Sequence, residues 1–184
     1  MYKTVETAKF FAKKHISQGD ICIDATCGNG EDTLFLFEAV GGSGRVLSFE
    51  IQSDIIRKTK FRLSDTPNSA NISYINKSHI HMDEYASQES VSCIMFNLGW
   101  LPGGDHDIRT GSETTILALE KSLSLIKPGD IISLCLYCGK EMGYEEKNVV
   151  LAIAQNLGNA YDVFYIDYLN KHDPPVNLFI VKKA

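Results

Sequence analysis

The seven residues Asp24-Ala-Thr-Cys-Gly-Asn-Gly30 constrain this chain more than any other stretch. Before them, Asp20 to Ile23 carries apolar Ile21, Cys22 and Ile23 behind Gly19, the pattern of a short buried strand. After them, Glu31 to Val40 carries Leu34, Phe35, Leu36, Phe37 and Val40, which reads as a largely buried helix. The turn therefore joins a first strand to a first helix. Its glycines permit positive φ and let a ligand approach the backbone without meeting a Cβ. In open α/β sheets, ligands bind at such turns, outside the carboxyl ends of the strands.

The neighbours narrow the ligand to a nucleotide. Glu50 lies twenty residues beyond Gly30, at the end of a second apolar run, Arg45-Val-Leu-Ser-Phe-Glu-Ile51. An acid there can accept hydrogen bonds from ribose hydroxyls, which NAD and S-adenosylmethionine (SAM) both offer. A dinucleotide fingerprint wants a third glycine, but Glu31, Asp32 and Thr33 follow Gly30. Two acids at a helix N-terminus would repel a pyrophosphate, whereas Asp24 and Asp32 suit the ammonium and sulfonium of SAM. The bland alternative is that Glu31 and Asp32 only complement the helix dipole. The residues favour SAM.

A chain of 184 residues holds one domain with a full core, so residues 1–184 are read as a single unit. No apolar stretch reaches membrane-spanning length, and the N-terminus lacks a signal-peptide core. Five cysteines lie mostly in apolar runs, as reduced core thiols of a cytoplasmic protein would. Cys135-Leu-Tyr-Cys138 has metal-site spacing, but no second pair completes it, and it overlaps the apolar run Ile131 to Tyr137. No metal is expected. A net charge of −5 disfavours a broad nucleic-acid surface and leaves room for a local basic patch.

Along the chain, Thr4 to Ile16 predicts an amphipathic helix with Lys9, Lys13 and Lys14 outward. Ser53 is placed to cap a helix through about Leu63, with Arg57, Lys58, Lys60 and Arg62 on its outer face. Ile72 to Ile75 and Val91 to Phe96 read as strands three and four. Ser112 to Ile126 reads as a helix stopped by Lys127-Pro-Gly129, and Ile131 to Tyr137 as strand five. Glu145 to Leu157 reads as a helix, and the last apolar runs, Asp162 to Tyr168 and Val176 to Val181, should pair antiparallel. Strand–helix alternation ending in a hairpin gives an α/β fold, a mostly parallel sheet with helices on both faces.

A second constellation, Phe96-Asn-Leu-Gly-Trp-Leu-Pro-Gly-Gly-Asp105, follows strand four and begins beside the first turn if strands one and four are neighbours. An Asn side chain can accept the N–H of an amine and aim its lone pair at a methyl donor. Trp100 is suited to stack on a planar base. The alternative is a structural turn with a core Trp. Ser78 and His79 end strand three, where an adenine would lie if the ribose is at Glu50. Asp105 and His106 are titratable candidates to receive a proton. His81 and His172 are weaker ones.

These motifs, with Phe49-Glu-Ile-Gln52 and Tyr137-Cys-Gly, resemble the small stand-alone bacterial SAM-dependent methyltransferases long labelled rRNA methylases. The resemblance implies a Rossmann-like class I methyltransferase with a mostly parallel seven-stranded sheet and a C-terminal antiparallel hairpin. It implies action on tRNA, at the amine of wobble 5-aminomethyl-2-thiouridine, in the cytoplasm, and is compatible with a homodimer. By resemblance Asn29, Glu50, Gln52, Ser78 and His79 contact SAM, beside the turn residues Asp24, Thr26, Cys27, Gly28, Gly30 and Asp32. Asn97, Leu98 and Trp100 border the acceptor, with Asp105 and His106 beyond. Two departures stand out: Glu50 replaces the commoner Asp, and Lys140 stands where a His is expected. The rivals are a methyltransferase for another acceptor (an rRNA base or a protein amide), a nicotinamide-dependent oxidoreductase, and a non-catalytic SAM-binding partner of RNA.

Overall fold

Seven strands form one sheet in the order β3-β2-β1-β4-β5-β7-β6. They are β1 Ile21–Asp24, β2 Arg45–Phe49, β3 Ile72–Ile75, β4 Val91–Leu98, β5 Ile126–Leu136, β6 Tyr161–Ile166 and β7 Val176–Lys182. The computed structural model describes residues 3–99, 110–137, 143–172 and 174–184. β3, β2, β1, β4 and β5 run parallel. β7 inserts antiparallel between β5 and β6, so the terminal hairpin pairs as expected.

Among the described residues five α-helices cover the sheet: α1 Thr4–Ala12, α2 Glu31–Val40, α3 Ser53–Arg62, α4 Ser112–Leu125 and α5 Tyr144–Gln155. Alternation along the central strands sorts the core into two layers. Cys22, Val46, Cys93, Met95 and Phe179 meet α1 and α2 through Ala8, Ala12, Leu36, Phe37 and Val40. Ile23, Leu47, Ile94, Phe96 and Leu134 face the other way, against Ala118 and Leu119 of α4 and Val150 of α5. Each such Leu, Ile or Phe, fully buried, contributes about 1.5–3 kcal/mol before chain entropy is subtracted. Strands buried on both faces are why these segments read as unbroken apolar runs.

Several boundaries differ from the sequence reading. α1 stops at Ala12, not Ile16, and Lys9 is only partly exposed. Asp24 is the last residue of β1 and wholly buried, rather than the first residue of a loop. Ser53 is the first helical residue, and Gln52 takes the cap position without a side-chain cap bond. α4 gives way directly to β5, which runs through Lys127-Pro-Gly129 with a register shift opposite Val91/Cys93. β4 also extends two residues further than expected. Asn97 and Leu98 pair with Cys135 and Leu136, so Asn97 is held on a strand and not in a loop.

Candidate active site

The sheet order reverses between β1 and β4, which are direct neighbours. A cleft of about 650 Å³ opens there, at the carboxyl ends of β1, β2, β3 and β4. Hydrogen bonds that continue the strands shape its floor. Ala25 N–H donates to Met95 O (2.9 Å) and Cys27 N–H to Phe49 O (2.9 Å). Asn97 N–H donates to Thr26 Oγ1 at 2.8 Å, which ties β4 to the turn.

Gly28 and Gly30 have φ of +47° and +77°, where a Cβ would be strained. Their surroundings separate their tasks. Gly28 lines the cleft, and its carbonyl accepts from Thr59 Oγ1 at 2.7 Å. Gly30 faces α3, where a Cβ would run into Thr59 Cγ2. It packs against α3 and is not among the residues that line the cleft.

Asp24 is likewise held by the protein's own groups. It lies off the cleft wall, accepting from Thr33 Oγ1 at 2.6 Å and Thr26 N–H at 3.1 Å. Burial, then the nearby charge of Asp32, pushes its carboxyl up to about 7. Asp24 locks the turn from beneath.

Thr26, Cys27, Asn29, Glu50, Gln52, Ser78, His79, Asn97 and Leu98 do line the cleft, as does Asp32. Glu50 is aimed by the backbone: Oε2 accepts from Gly28 N–H (3.1 Å) and Oε1 from Gln52 N–H (2.9 Å). Ser78 Oγ caps the short 3-10 helix His79–Glu84. His79 Nδ1 lies 3.2 Å from Ala25 O, an atom that can only accept, so Nδ1 carries the hydrogen. Burial lowers the His79 pKa, keeping the ring neutral at pH 7, and Nε2 is left buried with no partner. An acceptor in a cleft wall can be met by a donor from a ligand or from water.

The Asn97 carboxamide donates from Nδ2 to Asp32 Oδ2 at 2.6 Å. Asp32 is 5% exposed, and Lys9 Nζ stands 3.4 Å from its Oδ1. That contact is an ion pair without hydrogen-bond geometry, since Oδ1 has no donor and the amine donates to Glu31 O. The Glu31 side chain pairs with Arg62 at 2.7 Å.

Trp100, Asp105, His106 and Lys140 lie outside the described residues. The described residues on either side of 100–109 are tied together. Gly99 N–H donates to Thr110 Oγ1 (2.9 Å), which donates to Glu146 of α5 (3.0 Å). Phe49 and Tyr137, read only as parts of motifs, line the cleft, as do Lys77 and Thr110, and Lys9 pairs with Asp32 in its wall; the sequence reading assigned no site role to Lys77 or Thr110 and placed Lys9 outward. Lys9 gave the signal of an outward cation on an amphipathic helix, and nothing in the sequence ties it to Asp32. Among the described residues no group of three His, Cys, Asp or Glu side chains could hold a metal ion.

A cleft at the β1–β4 switch point, with an acid held at the tip of β2, is the nucleotide site of a Rossmann-like fold, and the solved neighbours make that fold a class I methyltransferase's. Solved structures agree. A structure titled a "putative rRNA-methylase" from Clostridium thermocellum superposes with a TM-score of 0.94 at 38% identity, covering 99% of this chain and 98% of that one. A Streptococcus mutans "putative methyltransferase" in complex with SAH gives 0.87 at 28%, covering 99% of both chains. The family described as "Putative rRNA methylase" matches residues 46–182, and the chain belongs to it. The protein is thus a SAM-dependent methyltransferase of an RNA-modifying family. Among curated relatives, the chloroplastic tRNA (mnm(5)s(2)U34)-methyltransferase of Arabidopsis thaliana is 36% identical over 98% of this chain and 70% of that protein.

Proposed function

We propose that this methyltransferase acts on tRNA in the cytoplasm, methylating the amine of wobble 5-aminomethyl-2-thiouridine. The observation that carries the substrate is the Arabidopsis relative, whose likeness runs through almost the whole chain. The cleft fits that chemistry. Glu50 would hold the ribose hydroxyls of SAM, and His79 Nε2 would accept from the adenine amino group. The Gly28–Asn29 backbone, Gln52 and Ser78 complete the cofactor wall. When bound, SAM supplies a methyl group activated by its sulfonium.

The chain's own residues prepare the acceptor. An alkylamine is mostly protonated at neutral pH and has no lone pair until it loses a proton. Asn97 Oδ1 accepts one N–H of the neutral amine and so orients its lone pair. Asp105 or His106 serves as proton acceptor, with water as the alternative. Positioning supplies most of the rate, so Asn97→Ala should slow single-turnover methylation roughly a hundredfold with little change in SAM affinity.

RNA phosphates would meet a few cations and not a broad face. Arg57 and Lys60 on α3 are exposed and form no ion pair among the described residues, and Lys13 and Lys14, which directly follow α1, are exposed too. Lys58 is engaged by Asp54, Arg62 by Glu31 and Lys9 by Asp32. Lys171 lies over the Tyr168 ring. Binding should weaken with salt on a shallow slope. No described helix is long and apolar enough to cross a membrane.

The test compares tRNA carrying the wobble aminomethyl group with the same tRNA lacking it, read by nucleoside mass spectrometry. Methylation only of the first supports the reading. Methylation of both, or of rRNA or a protein instead, overturns the substrate and leaves the SAM chemistry.

A further inference from the structure

We propose that Asp32 serves the acceptor and not the cofactor: it is a positioning residue that sets the Asn97 carboxamide with Oδ1 toward the reacting amine. Asp32 Oδ2 and Asn97 Nδ2 are 2.6 Å apart. A carboxylate only accepts, so the atom of Asn97 facing it is the NH2 group. The other amide atom, Oδ1, then turns away from Asp32, and no described residue donates to it. Asn97 itself lines the cleft.

An unrestrained Asn can flip its amide, and the flipped form would offer N–H to N–H at the amine. A bond to a charged partner favours the competent orientation by about tenfold to a hundredfold. The backbone of Asn97 is fixed independently, by its place in β4 and by its N–H bond to Thr26 Oγ1. Only the side-chain torsion is left for Asp32 to decide.

The charge of Asp32 is already offset inside the protein, by the Lys9 ammonium on one oxygen and the Asn97 amide on the other. Oδ2 is taken by Asn97, and Oδ1 is buried beneath Lys9, which stands 3.4 Å away from α1. Asp32 also lies in the first turn of α2, where the helix dipole favours a carboxylate. The neighbouring carboxyl of Asp24 is raised, by its burial first and then by its closeness to Asp32. Lys9, Asp32 and Asn97 thus form a chain from α1 through α2 to the tip of β4.

The inference rests on the proposed reading only in requiring an amine N–H at Asn97. Single-turnover rates on tRNA with the aminomethyl group are measured for the wild type, Asp32→Ala, Asn97→Ala and the double variant, with SAM affinity by calorimetry. Asp32→Ala should be tenfold to a hundredfold slower with SAM affinity within about twofold, and the double variant no slower than Asn97→Ala. Multiplicative losses, or a tenfold loss of SAM affinity in Asp32→Ala, overturn the proposal. A second measurement needs no RNA. In 15N-labelled protein the Asn97 side-chain NH2 should be protected from exchange in the wild type and unprotected in folded Asp32→Ala. Equal protection in both overturns the proposal. If the wild type leaves this tRNA unmodified, the substrate reading alone fails and the exchange measurement still decides the role of Asp32.

Discussion

Removing the Glu50 carboxylate should weaken SAM binding by about tenfold to a hundredfold, each charge-assisted bond lost costing about 1.5–3 kcal/mol and each factor of ten about 1.4 kcal/mol. The geometry sets the size of the effect. Both oxygens of Glu50 already accept backbone N–H groups, from Gly28 and Gln52, so the carboxylate reaches the ligand pre-aimed and little ordering is needed on binding. Glu50→Ala deletes the ribose acceptor and also frees the Gly28 N–H in the glycine turn. Glu50→Gln is not a benign substitute. One end of its amide is an NH2, which would face a backbone N–H at Gly28 or Gln52, donor against donor. The amide should therefore lose most of the affinity lost by alanine. Calorimetric titration with SAM gives the affinities, and thermal melts without ligand show whether each variant folds. Equal affinity for wild type and Glu50→Ala would refute the assignment. Wild-type affinity in Glu50→Gln would show that charge and aim at this position are immaterial.

Two other expectations follow from the turn. Asp24 has a folded-state value near 7 against about 3.9 for an unfolded Asp, so the folded protein binds a proton there that the unfolded chain does not. The stability this provides is complete below about pH 4 and is lost as pH rises through about 7. The difference in melting temperature between wild type and Asp24→Asn, which cannot titrate, should shift against the wild type from pH 5 to pH 8; a constant difference would disprove it. Gly30→Ala should cost roughly 1–3 kcal/mol through positive φ and the collision with Thr59 Cγ2. Thr59→Ser removes that methyl but keeps the hydroxyl bonded to Gly28 O, so chemical denaturation of the pair should show partial rescue.

The sequence by itself determined the alternation of strands and helices, because segments buried on both faces of a sheet are unbroken apolar runs whatever their neighbours. It also determined the cleft's first landmarks. Glycines at 28 and 30, an acid at 50 and Asn97 beyond a buried strand are local signals tied to the backbone near them. Their division of labour needed tertiary structure. Gly28 and Gly30 are alike in sequence, and only the packing of α3 under the turn assigns one to the cleft and the other to Thr59. Asp24 and Asp32 are alike as acids near a glycine turn, and only the fold sets Asp24 beneath the turn at the end of β1 and Asp32 in the cleft wall beside Asn97 and Lys9. The pairing of β4 with β5, which moves Asn97 from a loop onto a strand, joins residues 38 positions apart. Lys9 and Asp32 are 23 positions apart and on different helices. Hydrophobic periodicity records which face a residue buries; it carries no record of which distant side chain will meet it there.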